Sequence, residues 1–189
     1  MGRGIKKAGK LKSADFKKLF KRKGLVRLKL SDGDTPTGFV IGLSELFVVT
    51  ADVKEWHIDG VKVYPLKHVL EIDTGKRTKS IEEILQWHNV IPDENYGWLN
   101  IKSYYELFSV LQSKQKTVWI GYKGKAQVGI IKYFDQSVVH SEDFNADGNW
   151  MEGVSITPYD DITDVGFDSE YILKLRAFAD RDKVKDRKE

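Results

Sequence analysis

The chain has no cysteine. That excludes disulfides, cysteine-ligated zinc and thiol catalysis, and it fits a cytoplasmic location. Proline is scarce, with four in 189 residues, while 41% of residues are hydrophobic and 12% aromatic. A packed core is therefore within reach, and wholesale disorder is excluded. No apolar run approaches the ~18–20 residues that span a bilayer, so no membrane partner is expected. The basic N-terminal stretch is not followed by an apolar h-region or a small-residue cleavage site, so a secretory signal is not expected either. There is no glycine-rich phosphate loop; residues 121–125, GYKGK, read as a basic hairpin turn. The four histidines, His57, His68, His88 and His140, include no pair at metal-ligand spacing.

What is present is unevenly charged. The net charge is +3. Residues 1–23 carry ten Lys or Arg against one acid, Asp15, while residues 24–179 carry 16 bases against 23 acids. A basic arm precedes an acidic body. Lys6, Lys7, Lys10, Lys12, Lys17, Lys18, Lys21, Arg22 and Lys23 are candidate phosphate-contacting residues, because such an arm binds nucleic acid by releasing counterions.

Alternating and β-branched stretches predict strands at residues 25–30, 38–43, 45–53, 59–65 and 68–73. A second set falls at 117–122, 127–134, 137–142, 153–158 and 161–167. Helices are expected at 14–23, with Ser13 as cap, at 80–88, where Ser80 and Glu83 form a capping box, at 103–115 and at 169–179. Residues 1–12 read as a flexible basic arm, 13–90 as a first helix-plus-barrel unit, 91–102 as a linker, 103–179 as a second unit and 180–189 as a charged tail.

The order helix, five strands, helix occurs twice, and the residues agree as well. Residues 59–72, DGVKVYPLKHVLEI, lie over 152–165, EGVSITPYDDITDV, without a gap. Gly38 matches Gly129, and the pair Val48-Val49 is set against Val138-Val139. Three extra residues of the second copy then fall within SEDFNADGN. Five short bent strands after a helix close into a small barrel, which removes free edges. The expected fold is mainly β with accessory helices (α+β): an internal duplication of a small five-stranded barrel, each copy flanked by short helices. The helix-plus-five-strand pattern resembles the Sm-like barrel. Over about residues 24–178, with GFVIGLSELFVVTADVKEWHIDGVKVYPLKHVLEI in the first half and WIGYKGKAQVGIIKYF, GNW and DITDVGFDSEYILKL in the second, the chain is similar to a group of uncharacterised bacterial proteins built from two such barrels. The Sm-like resemblance implies RNA binding by analogy only.

Three further features bear on function. Asp143, Asn145 and Asp147 alternate before Gly148, as a calcium loop begins, but the twelfth position, where an EF-hand has Glu, is Val154. The favoured reading is a polar hairpin turn without a cofactor, and the alternative is a weak calcium site. Trp56 and Trp150 each precede the acid-Gly turn of their unit and form a candidate interaction surface, although such residues more often plug a barrel end. Catalytic constellations are missing: Asp52 stands after Thr50-Ala51 where a trypsin-like protease has histidine, and no nucleophile segment follows. The resulting expectation is a non-enzymatic binding or adaptor module with a protein partner, able to assemble through barrel edges. The alternative is an RNA-binding protein that uses the basic arm.

Overall fold

A computed structural model describes residues 20–92, 96, 98, 99 and 101–181. The chain divides between Lys102 and Ser103 into two compact units.

The first unit holds β1 (Leu25–Leu30), β2 (Thr37–Leu43), β3 (Phe47–Lys54), β4 (His57–Pro65), β5 (Val69–Asp73) and helix α1 (Lys76–Trp87). Its strands run in the order β5-β1-β2-β3-β4, antiparallel throughout. One face buries Val26, Leu28, Leu30, Val40, Val48, Tyr64, Val69 and Ile72 together. The opposite face carries Leu25, Phe39 and Ala51, which α1 covers with Leu85 and Ile81. Two buried faces explain why β3 reads as a nearly continuous apolar run and not as an alternation.

The second unit holds α2 (Tyr104–Ser113), β6 (Thr117–Tyr122), β7 (Lys125–Phe134), β8 (Val138–Phe144), β9 (Ser155–Pro158), β10 (Ile162–Phe167) and α3 (Glu170–Ala179). The order is β10-β6-β7-β8-β9, again antiparallel. Ser103 caps α2, its hydroxyl accepting the Glu106 N–H at 3.1 Å, and Ser169 caps α3 through the Ile172 N–H. On the core side Phe108 of α2 stacks on Tyr159, ring centroids 5.6 Å apart, and the Tyr159 hydroxyl donates to the Asp135 carbonyl at 2.7 Å.

The two sheets agree in order, register and irregularities. Gly38 pairs with Asp52 and Gly129 with Asp143. The β2–β3 ladder slips after Val40, and the β7–β8 ladder slips after Ile131, two residues beyond each glycine. The β1–β5 and β6–β10 ladders both slip at the residue after the start of the last strand. Each fourth strand ends on a proline, Pro65 or Pro158, followed by a short 3₁₀ turn. The preceding turns match as well. The Ser44 hydroxyl accepts the Leu46 and Phe47 N–H groups, and the Asp135 carboxylate accepts those of Ser137 and Val138. Those two N–H groups hold the Asp135 carboxyl below its usual range.

Four expectations need correction. The end strands of each sheet do not pair with each other among the described residues, so both sheets are open and not closed barrels. Next, Ser80 is not a cap: α1 starts at Lys76, the Asp73 carboxylate accepts Gly75 N–H at 2.7 Å and Thr78 Oγ1–H at 3.0 Å, and Ser80 bonds back to the Lys76 carbonyl. Third, Phe47 pairs with Pro65 and Val138 with Pro158, so Val138 corresponds to Phe47 and Val139 to Val48. The Val-Val match was off by one. Finally, the second unit has two extra residues there, not three, and Asp143 stands where Asp52 stands. The first acid of the candidate calcium series therefore belongs to the shared framework.

Candidate interaction face on the second unit

Strand β8 divides its side chains cleanly. Val139, Ser141 and Asp143 point to the core side and are buried. His140, Glu142 and Phe144 point to the opposite face. Helix α3 covers the Phe144 end of that face, packing Ile172 and Ala179 against Val128 and Phe144. Trp150 closes the corner. Its ring meets Phe144 edge-on at 5.2 Å, its indole N–H donates to the Ala179 carbonyl at 3.0 Å, and the Arg176 guanidinium lies 5.3 Å over it.

Among the described residues, the other end of the face has no such cover. Tyr133 of β7, His140 of β8 and Ile156 of β9 form one cross-strand row. Tyr133 meets the His140 ring edge-on at 5.3 Å. Ile156 is 61% exposed, Tyr133 58% and Val154 51%, with exposed Met151 nearby in sequence. Beside the row, Lys132 and Glu142 form an exposed ion pair at 3.0 Å.

Strand β9 is inverted relative to an ordinary half-buried strand. Its apolar residues face out and its hydroxyls face in. The Gln127 side-chain amide donates to Ser141 Oγ at 2.9 Å and to Thr157 Oγ1 at 3.0 Å. The Ser155 and Ser141 hydroxyls donate to Asp143. Burial pushes the Asp143 carboxyl above its usual range, partly offset by those two hydroxyls. Asp143 Oδ1 receives no hydrogen bond among the described residues.

The first unit treats the same positions differently. Pro65 and Pro158 align, so Val61 corresponds to Val154 and Val63 to Ile156. Val61 and Val63 are each 1% exposed. Tyr133 corresponds to Gly42, and a Cβ added to Gly42 would lie 3.5 Å from the Leu99 carbonyl oxygen. In the first unit this face is buried, and the Leu99 carbonyl lies close to Gly42. In the second unit Tyr133, Val154 and Ile156 stay exposed among the described residues.

Lys6, Lys7, Lys10, Lys12, Lys17 and Lys18 lie outside the described residues. Lys21, Arg22 and Lys23 are exposed at the turn before β1, where Arg22 reaches Glu82 at 3.4 Å. Trp56 is exposed at the β3–β4 turn of the first unit, and Trp150 is half-buried beside α3 in the second. Asp143 is buried on the core side, Asn145 Oδ1 accepts the Asp147 and Asn149 N–H groups, and Asp147 is exposed. That geometry is a turn closed by an asparagine. No group of three or more His, Asp or Glu suited to a metal occurs among the described residues. No described helix is long and apolar enough to cross a membrane.

No protein-family model, curated protein or solved structure matches the chain.

Sequence reasoning missed Tyr133, Val154 and Ile156 as site residues. The signal was in the ungapped match, which sets Val154 over Val61 and Ile156 over Val63. What it lacked was which of the two pairs is covered.

Proposed function

We propose that the chain is a non-enzymatic binding module made of two Sm-like β units that arose by duplication, and that its partner is another protein. The equal strand orders, the shared Gly–Asp pairs and the bulges at matching positions support the duplication. The absence of cysteine suits a cytoplasmic module. One observation carries the functional reading: Ile156 of β9 and Val154 just before it stand exposed, where the first unit buries Val63 and Val61. A chain that keeps large apolar residues exposed at the edge of a sheet risks aggregation. Local rules are broken in this way at sites that serve a partner.

The test is affinity capture from cell lysate with the full chain, its Ile156→Lys/Tyr133→Ser variant, and residues 24–189. Circular dichroism checks that each is folded. The expected result is a protein retained at high salt and after nuclease treatment, bound by the full chain and by residues 24–189 but lost in the double variant. Nuclease-sensitive material that disappears with residues 1–23 would replace this reading with the RNA-binding one. Equal capture by the double variant would remove the face from consideration.

A further inference from the structure

The segment between Trp150 and Tyr159 is held down differently from the rest of the second unit. We propose that residues 152–158, which include β9, form a strap that lifts from β8 as one piece, and that the charge on Asp143 sets how often it lifts.

Both ends of the strap are fixed. Trp150 gives its indole N–H to the Ala179 carbonyl, and the Met151 N–H donates to the Asp143 carbonyl at 2.9 Å. At the far end the Tyr159 N–H donates to the Ser137 carbonyl at 2.8 Å, and the Tyr159 ring stacks on Tyr104 at 4.7 Å and on Phe108. Between these anchors Thr157 alone is buried. Val154 and Ile156 are exposed, so seating the strap removes little apolar surface from water. The matching stretch of the first unit buries Val61, Val63 and Tyr64. Among the described residues, no strand other than β8 pairs with β9 within this unit. The hold on the strap is polar. Ser155 and Thr157 pair with Ser141 and Val139, Gln127 donates to Thr157, and the Ser155 hydroxyl donates to Asp143. Segments with few buried apolar contacts open locally, at less cost than global unfolding. Gly153, with φ +84° and open space about it, supplies a pivot.

Asp143 couples the opening to charge. Its side chain is buried, and Oδ1 receives no hydrogen bond among the described residues. The neighbours from β7 and β9 are neutral: Gln127, Gly129, Ser155 and Thr157. Strands β6 and β10 continue that face with Ile120 and Val165, and α2 turns Leu107 and Leu111 inward. The titratable groups on this side are the phenols of Tyr104 and Tyr159, both pushed up by burial, Tyr159 to about 12. On β8, His140 and Glu142 face the other way. Past the strap, Asp160 acts on Tyr104 and Asp161 pairs with Lys123. Among the described residues no charged group contributes at Asp143.

With the strap seated, burial holds the Asp143 carboxyl above its usual range; with the strap lifted, water reaches it and the value falls back. The Ser155 bond lost on lifting opposes this only in part, because burial is the larger cause. Lifting therefore releases a proton. It does not vary with pH below the ordinary carboxyl range, where both forms are protonated. It grows as pH rises through that range and levels off above the raised value of the seated form. Each opening also takes Ile156 out of its row with Tyr133 and His140.

The experiment is native-state amide hydrogen exchange of the full chain by NMR, at low urea and over a series of pH values, each rate corrected for the intrinsic rate at that pH. Exchange of the Ser155 and Thr157 amides should be indifferent to low urea, as local opening is, while that of Val118 and Ile120 in β6 should rise with it. Protection of Ser155 and Thr157 should fall severalfold as pH rises through the carboxyl range and then level off, with Tyr159 unmoved. In Asp143→Asn that fall should disappear. Exchange of Ser155 and Thr157 that follows urea in step with β6 would overturn the strap. A local opening that ignores pH in the natural chain, or keeps the same pH profile in Asp143→Asn, would overturn the role of Asp143. The profile of the natural chain decides the matter even if the variant does not fold.

Discussion

Asp143 lies directly opposite Gly129, and its Oδ1 occupies the space a side chain on Gly129 would need. A Cβ placed on Gly129 would stand 2.5 Å from that oxygen and 2.8 Å from the Asp143 Cα. The Glu142 carbonyl would be nearer still, at 2.2 Å, and the pairing of Gly38 with Asp52 repeats this, with the equivalent Ala51 carbonyl at 2.7 Å and the Thr50 Cβ at 2.8 Å. Glycine is required at both places by close approach and not by an unusual φ.

That crowding gives the first prediction. Gly129→Ala should destabilise the second unit by ~1–3 kcal/mol, as overpacking against backbone does. Gly38→Ala should act in the same direction on the first unit. Thermal unfolding reads the effect as a lower midpoint, by about 2–4 °C per kcal/mol if the chain unfolds as one. An unchanged midpoint for Gly129→Ala would mean that β7 and β8 part easily at this point.

The second prediction concerns pH. Burial raises the Asp143 carboxyl above its unfolded value, so the folded chain holds this proton more tightly than the unfolded chain. Below the ordinary carboxyl range both states are protonated and Asp143 costs nothing. As pH rises through that range and then through the raised folded value, the group progressively destabilises the fold. Asp143→Asn has no charge to desolvate, while its amide oxygen can still accept from the Ser141 and Ser155 hydroxyls. It should be more stable than the natural chain at neutral pH by ~1–3 kcal/mol, because the partly buried charge no longer has to be desolvated. The gain should vanish in acid. Urea unfolding of both proteins across that pH span checks it, and a gain independent of pH would assign the effect to packing.

Most of the strands were legible because β-branched and aromatic residues cluster between turn formers, as in FVVTADV at β3 and TVWIGY at β6. The repeat was legible where it was ungapped. It failed by one residue at Val48, because Phe47 and Val138 look less alike than Val49 and Val139 do, whereas the ladder follows hydrogen bonds and not likeness. The start of α1 was misread because Asp73 supplies its turn from inside β5. Trp56 and Trp150 looked equivalent, but Trp150 gives its N–H to a carbonyl of α3, whereas Trp56 is exposed. The exposed row on β9 was not legible at all. Ser-Ile-Thr alternates correctly for a strand, and nothing in that alternation says which side the core lies on.

The third prediction tests the inward hydroxyls. Thr157→Val leaves the Gln127 amide one acceptor short in a buried setting, and should cost ~1 kcal/mol or more. Gln127→Leu removes the donor along with its demand. The double variant should therefore be less destabilised than the two single losses added together, with a coupling of ~0.5–3 kcal/mol. A denaturant double-mutant cycle measures it. Strict additivity would mean that Gln127 has found another acceptor.

The last prediction separates stability from binding. Glu55 and Trp56 form the two-residue turn between β3 and β4, with φ of 43° and 69°. That left-handed conformation suits Asn-Gly and is costly for a large side chain. Trp56 is 57% exposed, so burial returns little of that cost. Replacing Glu55-Trp56 by Asn-Gly should raise stability by ~1–2 kcal/mol, read as a higher unfolding midpoint. If the partner docks on β9, capture should be unchanged in this variant, since the turn belongs to the other unit. If the turn variant is stabilised but loses the partner, Trp56 is the anchor, its strain is kept for binding, and the exposed row of the second unit is secondary.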